Sequence, residues 1–303
     1  MDFYSPGKLL IAGEYVVLDG AKAFALPTAQ GQSMHVESIE EAVLYWTSYD
    51  VDGKIWMQEQ VAMDQLLNHE EIKGSAHLQT LVEVLRAAHN QNPALLQGGG
   101  GFKVRCKLTF PRLWGLGTSS TWINNVAQWF GINPYQLLQE SFGGSGYDIA
   151  CAQHKSALFY QLTDPIHPRV ELVEFQPVFS KKIYFVYLNE KQSSKEAIQS
   201  YRTKKGLLST EIKRISEISQ ALVTAPSASV FGQLIREHET IVGRILDIQP
   251  IQTRLFPDFN GAIKSLGAWG GDFILVLSDE DPTAYFAGKG YATVLPYEQM
   301  IAQ

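Results

Sequence analysis

Apolar and polar positions follow two periods along this chain, and each period predicts a different element. Residues 8 to 18 and FKVRCKLTF at 102 to 110 alternate or run apolar over strand lengths. AHLQTLVEVLRAAHNQ at 76 to 91 instead repeats its apolar residues every three or four positions, which predicts a helix. Residues 33 to 60 read as further strands, and Asp52-Gly53 predicts a hairpin turn between them.

The order of the remaining elements predicts the fold class. Helices are expected in TWINNVAQWFG at 121–131, near Pro134 and in GGSGYDIACAQ. They are followed by strands in ALFYQL and VELVEF, a composition change near residue 178, a strand in KKIYFVYL and helices over 194–247 with a break at Ala225-Pro226. Two strands in AIKSLGAWGGDFILVLS and a helix and strand over 281–296 complete the chain. This pattern predicts an α+β protein with two domains, residues 1–178 and 179–303.

Composition limits the classes of partner. The 303 residues are 45% hydrophobic and 18% charged, which predicts packed cores. The net charge of −6 argues against nucleic acid, whose binding requires clustered Lys and Arg. Apolar runs stay far below the roughly 20 residues of a membrane helix, so no membrane partner is expected. No secretory signal is evident, and Cys106 and Cys151 lie in apolar stretches, so we expect buried thiols and a cytoplasmic protein.

PRLWGLGTSSTW, residues 111 to 122, joins a predicted strand to a predicted helix and suggests an anion site. Gly115 and Gly117 precede four hydroxyl residues, Thr118, Ser119, Ser120 and Thr121. The first amides of a helix lack intrahelical partners, and the helix dipole adds partial positive charge there. Glycines allow close approach to a phosphate, and hydroxyls bind phosphate or metal. The stretch is not a Walker A loop, and by itself it also fits an ordinary helix cap.

Two further stretches carry charged residues beside glycines. SPGKLLIAGEYVVLDG contains Lys8 and Glu14, whose even spacing predicts that they share one face of a strand. GGSGYDIACA has Asp148 at the beginning of an apolar helix. Taken singly, these residues also fit solvated strand positions and a carboxylate that favours the helix dipole.

Together the three stretches resemble the motifs of the GHMP small-molecule kinases. The first motif is similar to SPGKLLIAGEYVVLDG, the second to PRLWGLGTSST and the third to KSLGAWGGDF at 264 to 273, in matching order over nearly the whole chain. Thr118 replaces the usual first serine of the second motif, and Trp269 and Asp272 stand in a third motif that usually has more glycine. The resemblance implies an N-terminal domain like ribosomal protein S5 and a ferredoxin-like C-terminal domain.

The resemblance also implies ATP and Mg²⁺ as cofactors and assigns catalytic roles. Asp148 is implied to accept the proton of the substrate hydroxyl, and Lys8 to lower the pKa of that hydroxyl or bind the transferred phosphoryl group. The implied nucleotide-binding residues are Gly115, Leu116, Gly117, Thr118, Ser119 and Ser120, with the Ser119 hydroxyl as a magnesium ligand. Mevalonate kinase has a further metal-binding glutamate where this chain has Leu137. Nearby Glu140 is expected to substitute for it, the alternative being a solvated helix carboxylate.

For the acceptor, GEY and GSGYD resemble phosphomevalonate kinase, which implies phosphomevalonate or mevalonate as the small-molecule substrate. Homoserine, a sugar or another alcohol stays open, as does a non-catalytic ligand-binding role. The candidate substrate-binding residues are Glu14, Lys103, Arg105, Ser194, Gly267, Ala268 and Gly270. Lys103 and Arg105 alternate on one strand face that also fits simple solvation. The chain is expected to be a monomer or a homodimer.

Overall fold

A computed structural model of the chain describes residues 1–68, 70–190, 194–203, 208–269 and 271–302. These residues build an α+β fold with two sheets, which confirms the predicted fold class. Most predicted elements are present, and α2 (Ala76–Gln91) has the bounds that the apolar period predicted. None of the helices in the described ranges is long and apolar enough to cross a bilayer.

The first sheet lies in the N-terminal part of the chain. Its strands in the described residues are β1 (Asp2–Ala12), β2 (Ala23–Ile39), β3 (Val43–Tyr49), β4 (Ile55–Ala62), β5 (Gly101–Leu108), β6 (Leu158–Gln161) and β7 (Arg169–Leu172). Their order is β4-β3-β5-β2-β6-β7, with β1 paired to β2. The β3–β5 pair is parallel, and the other pairs are antiparallel.

Helices cover one face of this sheet and bury its apolar side chains. They are α1 (Met63–Leu67), α2, α3 (Thr118–Phe130), α4 (Pro134–Ser141) and α5 (Tyr147–Gln153). Along β5, Val104, Cys106 and Leu108 point into the core while the residues between them are exposed, as alternation predicted. Cys106 and Cys151 are buried free thiols, also as expected. Both α3 and α5 pack against β1, which brings their first turns close to that strand.

The C-terminal part of the chain contains the second sheet and several helices. Its elements in the described residues are β8 (Ile183–Tyr187), α6 (Ser194–Thr203), α7 (Ser209–Val223), α8 (Ala228–Leu246), α9 (Ile251–Leu255), β9 (Ala262–Ser265), β10 (Phe273–Leu277), α10 (Thr283–Gly288), β11 (Val294–Pro296) and α11 (Tyr297–Met300). The strands pair antiparallel in the order β11-β8-β10-β9. The ring of Phe175 lies 5.0 Å from Phe24 of β2 and 6.3 Å from Phe231 of α8. The two parts therefore share one hydrophobic core.

The chain departs from the sequence prediction just after β1. A strand was predicted through residue 18, but β1 ends at Ala12 and a 3₁₀ helix, Val16–Asp19, follows a turn. Gly13 and Tyr15 have φ angles of 106° and 63° in this turn, and such angles do not belong to a strand. The next strand, β2, is also longer than predicted and begins at Ala23.

Candidate active site

The glycine and hydroxyl stretch forms an open helix start, which we call the phosphate loop (residues 115–121). Gly117 precedes α3 with φ of 97°, and no side chain of the described residues caps the helix. The first helical bond runs from the Thr121 N–H to the Gly117 carbonyl at 3.0 Å, so the amides of residues 118–120 precede the helical ladder. The Lys8 N–H donates to the Leu116 carbonyl at 2.9 Å, which fastens the loop to β1.

The four hydroxyls of the phosphate loop divide into two pairs. Ser120 is buried and donates to the Gly117 carbonyl at 3.0 Å, and Thr121 is buried and donates to Gln32 Oε1 at 2.8 Å. Thr118 and Ser119 border a cavity instead. The first two hydroxyls thus face the space that a ligand would occupy.

That space is a cavity of about 210 Å³ with aromatic walls, which we call the aromatic cavity. Besides Thr118 and Ser119, it is bordered by Gln32, Trp46, Ser48, Trp56, Met57, His77, Thr80, Arg112, Trp122 and Phe142. The ring of Trp122 lies 6.0 Å from Trp46 and 6.2 Å from Phe142. Nε1 of Trp56 and of Trp122 is buried and has no partner among the described residues. The cavity therefore offers flat apolar walls and two unsatisfied donors, which suits a planar heteroaromatic group.

Lys8 and Asp148 come together because α5 packs on β1. Gly146 precedes α5 with φ of 86°, and Asp148 Oδ1 accepts a hydrogen bond from the Ile149 N–H at 3.1 Å. The Lys8 ammonium lies 5.7 Å from the centre of the Tyr147 ring. The structure thus brings together the two residues that the resemblance made catalytic and adds Tyr147 beside them.

Lys8, Tyr147 and Asp148 shift one another's pKa values. Burial lowers the pKa of Lys8, but Tyr147, Asp148 and Asp272 outweigh it and raise the pKa above its usual value. Burial raises the pKa of Asp148, against the opposing effect of Lys8. Burial also raises the pKa of Tyr147 to about 12. Lys8 therefore stays protonated at neutral pH, while Asp148 is a stronger base than an exposed carboxylate.

Asp272 is a third charged neighbour that sequence reasoning did not assign to the site. It is 9% exposed and lies just before β10. A Cβ built on Gly115 would lie 2.4 Å from Asp272 Cγ, so the carboxylate rests directly on the phosphate loop and residue 115 must be glycine. The aspartate in an otherwise glycine-rich third motif was the available signal for it. Lys8, Tyr147, Asp148 and Asp272 together are called the active-site cluster.

Glu14 does not lie on the strand face of Lys8, so that expectation was wrong. Because β1 ends at Ala12, Glu14 falls in the following turn, where it is 1% exposed. The Lys264 ammonium donates to Glu14 Oε1 and, at 2.8 Å, to the Ser265 carbonyl. His238 Nε2 lies 3.2 Å from Glu14 Oε2 and accepts a bond from the Gly13 N–H. The Glu14 carboxylate is therefore neutralised inside the protein by Lys264.

A small cavity of about 60 Å³ adjoins the active-site cluster. Three of the predicted substrate residues border it: Glu14, Gly267 and Ala268. Its other lining residues are Leu10, Tyr15, Val17, Leu18, Ser145, Tyr147 and Ile198. Two other predicted contacts, Gly270 and the side chain of Ser194, lie outside the described residues.

Three predicted residues are not brought to this cluster. Lys103 and Arg105 are exposed on β5, and Arg105 Nη2 lies 3.7 Å from Glu37 Oε2. Glu140 is exposed, and its two carboxylate oxygens accept bonds of 2.9 Å from Gln91 and Gln136. Gln91 ends α2, whereas the aromatic cavity lies at the other end of that helix. Helix geometry therefore keeps Glu140 away from Ser119, and the positions on β5 match the solvated alternative.

Comparison with known proteins shows likeness at the level of structure. No protein-family model matches the sequence, and no curated protein matches it. Streptococcus pneumoniae phosphomevalonate kinase, solved with phosphomevalonate and AMPPNP, has a TM-score of 0.72 and 16% identity, over 98% of this chain and 99% of that one. Methanococcus jannaschii mevalonate kinase has a TM-score of 0.70 and 16% identity, over 95% and 94%. Lactococcus lactis galactokinase, solved with galactose, has a TM-score of 0.69 and 15% identity, over 100% and 93%. The chain thus has the fold of these kinases, as the resemblance to the GHMP kinases implied.

Proposed function

We propose that this chain is an ATP-dependent kinase that phosphorylates a small-molecule alcohol or phosphate, with phosphomevalonate or mevalonate as acceptor. One observation carries the proposal: Lys8 and Asp148 share a partly buried cluster beside the uncapped start of α3. A phosphoryl-transfer enzyme needs a cation for the transferred group, a base for the hydroxyl and donors for the phosphates. The fold shared with the kinases above supports the same reaction class.

The aromatic cavity is proposed to hold the base of ATP. The indole N–H groups of Trp56 and Trp122 are buried donors that ring nitrogens of a purine satisfy. The phosphates would then lie against the amides at the start of α3, beside the Ser119 hydroxyl. A magnesium ion held there would neutralise part of the phosphate charge.

The reaction that these residues support is a direct transfer. The attacking oxygen, which is the hydroxyl of mevalonate or a phosphate oxygen of phosphomevalonate, forms a bond to the γ-phosphorus while the bond from that phosphorus to the β–γ bridging oxygen breaks, which releases ADP. With a hydroxyl acceptor, Asp148 takes the hydroxyl proton, and its raised pKa makes it a better acceptor of that proton. Lys8 stays charged and stabilises the negative oxygens of the transferred group.

The small cavity beside Tyr147 is proposed to hold the acceptor. Its described walls include Leu10, Tyr15, Val17 and Leu18, which are apolar along most of their surface. Glu14, Ser145 and Tyr147 add polar groups to these walls, so an acceptor here would meet apolar surface as well as hydrogen-bonding partners. These walls therefore favour an acceptor with an aliphatic part, as mevalonate and phosphomevalonate have.

We also propose the two domains at residues 1–178 and 179–303, the first like ribosomal protein S5 and the second ferredoxin-like. The division is supported by the sheets, because β1–β7 end at Leu172 and β8 begins at Ile183. In the second part, strands and helices follow a β-α-β-β-α-β order if neighbouring helices are grouped.

The test is ADP release from ATP and Mg²⁺ with mevalonate, phosphomevalonate, homoserine and galactose as acceptors. We expect turnover with mevalonate or phosphomevalonate, reduced by roughly 10²- to 10⁴-fold in Asp148→Asn with ATP affinity unchanged. Turnover that Asp148→Asn leaves unchanged would remove Asp148 from the mechanism. Binding of ATP without turnover on any acceptor would favour the non-catalytic alternative.

A further inference from the structure

The aromatic cavity has a cation in its wall and no carboxylate to balance it. Arg112 borders the cavity, and none of the other lining residues that the structure describes is Asp, Glu or Lys. The whole chain has a net charge of −6, so a cavity lined in this way is a local exception. A concave site whose charge has one sign attracts ligands of the opposite sign. The wall of this cavity therefore favours an anionic ligand.

The Arg112 side chain is held at this wall. Its Cζ lies 5.1 Å from the centre of the Trp56 ring, which borders the same cavity. A guanidinium over an indole face is attracted by the electrons of the ring. The Arg112 N–H donates to Asp50 Oδ1 at 3.1 Å, which fastens the backbone at the same point. The 3₁₀ helix Arg112–Trp114 then leads directly into Gly115 of the phosphate loop.

The guanidinium of Arg112 keeps its hydrogen-bonding capacity. Within the described ranges its N–H groups donate to no oxygen, and its one close partner is the Trp56 ring. Other arginines are used differently, since Arg214 donates to Glu237 Oε1 at 2.6 Å and Arg86 to the Leu66 carbonyl at 3.1 Å. A guanidinium presents five donors in a planar fork, whose geometry matches two oxygens of one phosphate. Arg112 can therefore bind an oxyanion without giving up a protein contact.

The phosphate loop borders the same cavity. Thr118 and Ser119, at the start of α3, line it together with Arg112. A ligand that fills the cavity can therefore contact the guanidinium and the hydroxyls of the loop at the same time. A nucleoside has no group that needs the cation, whereas a nucleotide has its phosphates.

We propose that the Arg112 guanidinium binds the phosphates of the nucleotide and makes the aromatic cavity select nucleotides over nucleosides. The inference rests on the proposed kinase function. The base would lie against the tryptophan rings, and the first phosphates would lie between Arg112 and the amides at the start of α3. Arg112 was not among the residues that the sequence assigned to nucleotide binding.

The test compares two ligands that differ only in phosphate. ADP and adenosine are titrated calorimetrically into wild type and Arg112→Gln. Adenosine reports the walls of the cavity, because it carries the base without a phosphate, whereas ADP reports both contributions. Arg169→Gln is the matched control, since Arg169 is an exposed arginine of β7 outside the residues that border either cavity.

We expect Arg112→Gln to bind ADP at least about tenfold more weakly than wild type does, because a charged hydrogen-bonding partner of the phosphates is lost. Its affinity for adenosine should change by no more than about twofold, and Arg169→Gln should bind both ligands as wild type does. Equal losses for ADP and adenosine would overturn the proposal and reduce Arg112 to a support for Trp56. Unchanged ADP affinity would overturn it as well. Failure of wild type to bind ADP or AMPPNP would instead overturn the proposed function.

The salt dependence of ADP binding gives a second measurement that does not need adenosine. KCl screens the attraction between a cation and a phosphate, so ADP binding should weaken with KCl more steeply in wild type than in Arg112→Gln. Equal slopes in the two proteins would refute the contact.

If Arg112→Gln fails to fold, as judged by thermal melting, Arg112→Lys replaces it. Lysine keeps an aliphatic stem and the charge but has no planar fork, so it cannot hold two phosphate oxygens in the same way. ADP should then bind at least about threefold more weakly than in wild type, with adenosine binding unchanged. Equal ADP affinity in Arg112→Lys and wild type would refute a role for the guanidinium.

Discussion

Two lysine side chains of this protein lie among carboxylates, one in each part of the chain, and their surroundings differ. Lys264 of β9 is 0% exposed and bonds directly to Glu14. Lys8 of β1 lies near Asp148 and Asp272, yet it forms no ion pair with a carboxylate in the described ranges. Lys264 already binds a carboxylate and a carbonyl of the protein, whereas the Lys8 ammonium can still bind an anionic ligand.

The charged residues around Lys264 stabilise the fold, whereas we expect those around Lys8 to take part in the reaction. Glu14 comes from the turn after β1, and Glu239 of α8 accepts backbone bonds from Ser265 at 2.9 Å and Ile251 at 3.3 Å. Burial and Lys264 hold the pKa of His238 well below its usual value, so the histidine is neutral. Glu14, His238, Glu239 and Lys264, called the interior cluster, thus join the two parts through buried polar contacts. Charges that are already paired hold a fold together, whereas incompletely paired ones can stabilise a transition state.

The largest expected effect comes from Lys8→Met. Turnover should fall roughly 10²- to 10⁴-fold, because the cation that stabilises the transferred phosphoryl group is lost. The melting temperature should fall less than in the corresponding variant of Lys264, because Lys8 forms no direct ion pair with a carboxylate in the described ranges. Steady-state kinetics and thermal melting of the same preparation measure both quantities. A large loss of stability with normal turnover per folded molecule would reverse the roles of the two lysines.

Lys264→Met should give the opposite pattern. Removing one partner of a buried ion pair typically costs about 3–5 kcal/mol of unfolding free energy, because Glu14 is left buried and uncompensated. Urea denaturation measures this loss. The double variant Lys264→Met, Glu14→Gln is the control and should recover part of it, since neither charge is then buried. Equal stability of Lys264→Met and wild type would mean that the ion pair does not hold the two parts together.

Most of the fold and part of the candidate site could be predicted from the sequence. Strands and helices with a regular apolar period, such as β5 and α2, depend on local pattern and were predicted. The turn after β1 was missed because Tyr15 adopts a positive φ that its residue type disfavours. Tyr15 also packs against Tyr201, with 5.5 Å between the ring centres, and a contact so distant in sequence is not encoded within a few neighbouring residues.

The site residues likewise fall into those that a local motif identifies and those that only the folded chain brings together. Lys8 and Asp148 were identified because their motifs are local, but the partner of Glu14 lies 250 residues away in sequence. Spacing could not reveal that contact. Glu14 also borders the small cavity, so its contact with the substrate stays a prediction. The aromatic cavity was missed because Trp46, Trp56 and Trp122 come from three separate elements. Each of them resembles an ordinary core residue until the elements pack.

Glu239→Gln should alter the pH dependence of stability. Burial raises the pKa of Glu239 to about 7, against the opposing effect of Lys264, so the folded state binds this proton more tightly than the unfolded state. The free energy of unfolding should therefore fall by at most about 1.4 kcal/mol per pH unit between about pH 4.5 and 7. Above about pH 7 this contribution should stay constant. Unfolding free energies measured across this range should have a flatter slope in Glu239→Gln.

The exposed neighbour Glu237 provides the matched control for that measurement. The hydrogen bond to Arg214 lowers the pKa of Glu237. Its contribution to the free energy of unfolding is therefore lost as pH falls and not as pH rises. Glu237→Gln should leave the slope between about pH 5 and 7 unchanged. An identical slope in Glu239→Gln and wild type would mean that Glu239 is ionised throughout, and the interior cluster would then carry two negative charges on one lysine.

The smallest effect is expected from Lys103→Ala. This variant tests whether an exposed cation contributes to acceptor binding. Lys103 is exposed on β5 and borders neither cavity, so water already solvates its charge. The acceptor KM should therefore change by no more than about twofold, the range of a surface charge. Steady-state kinetics with the acceptor found above measure it, with Lys107→Ala on the same strand face as control. A several-fold rise in KM for Lys103→Ala alone would show that the acceptor reaches β5, and the acceptor site would then extend beyond the cavity beside Tyr147.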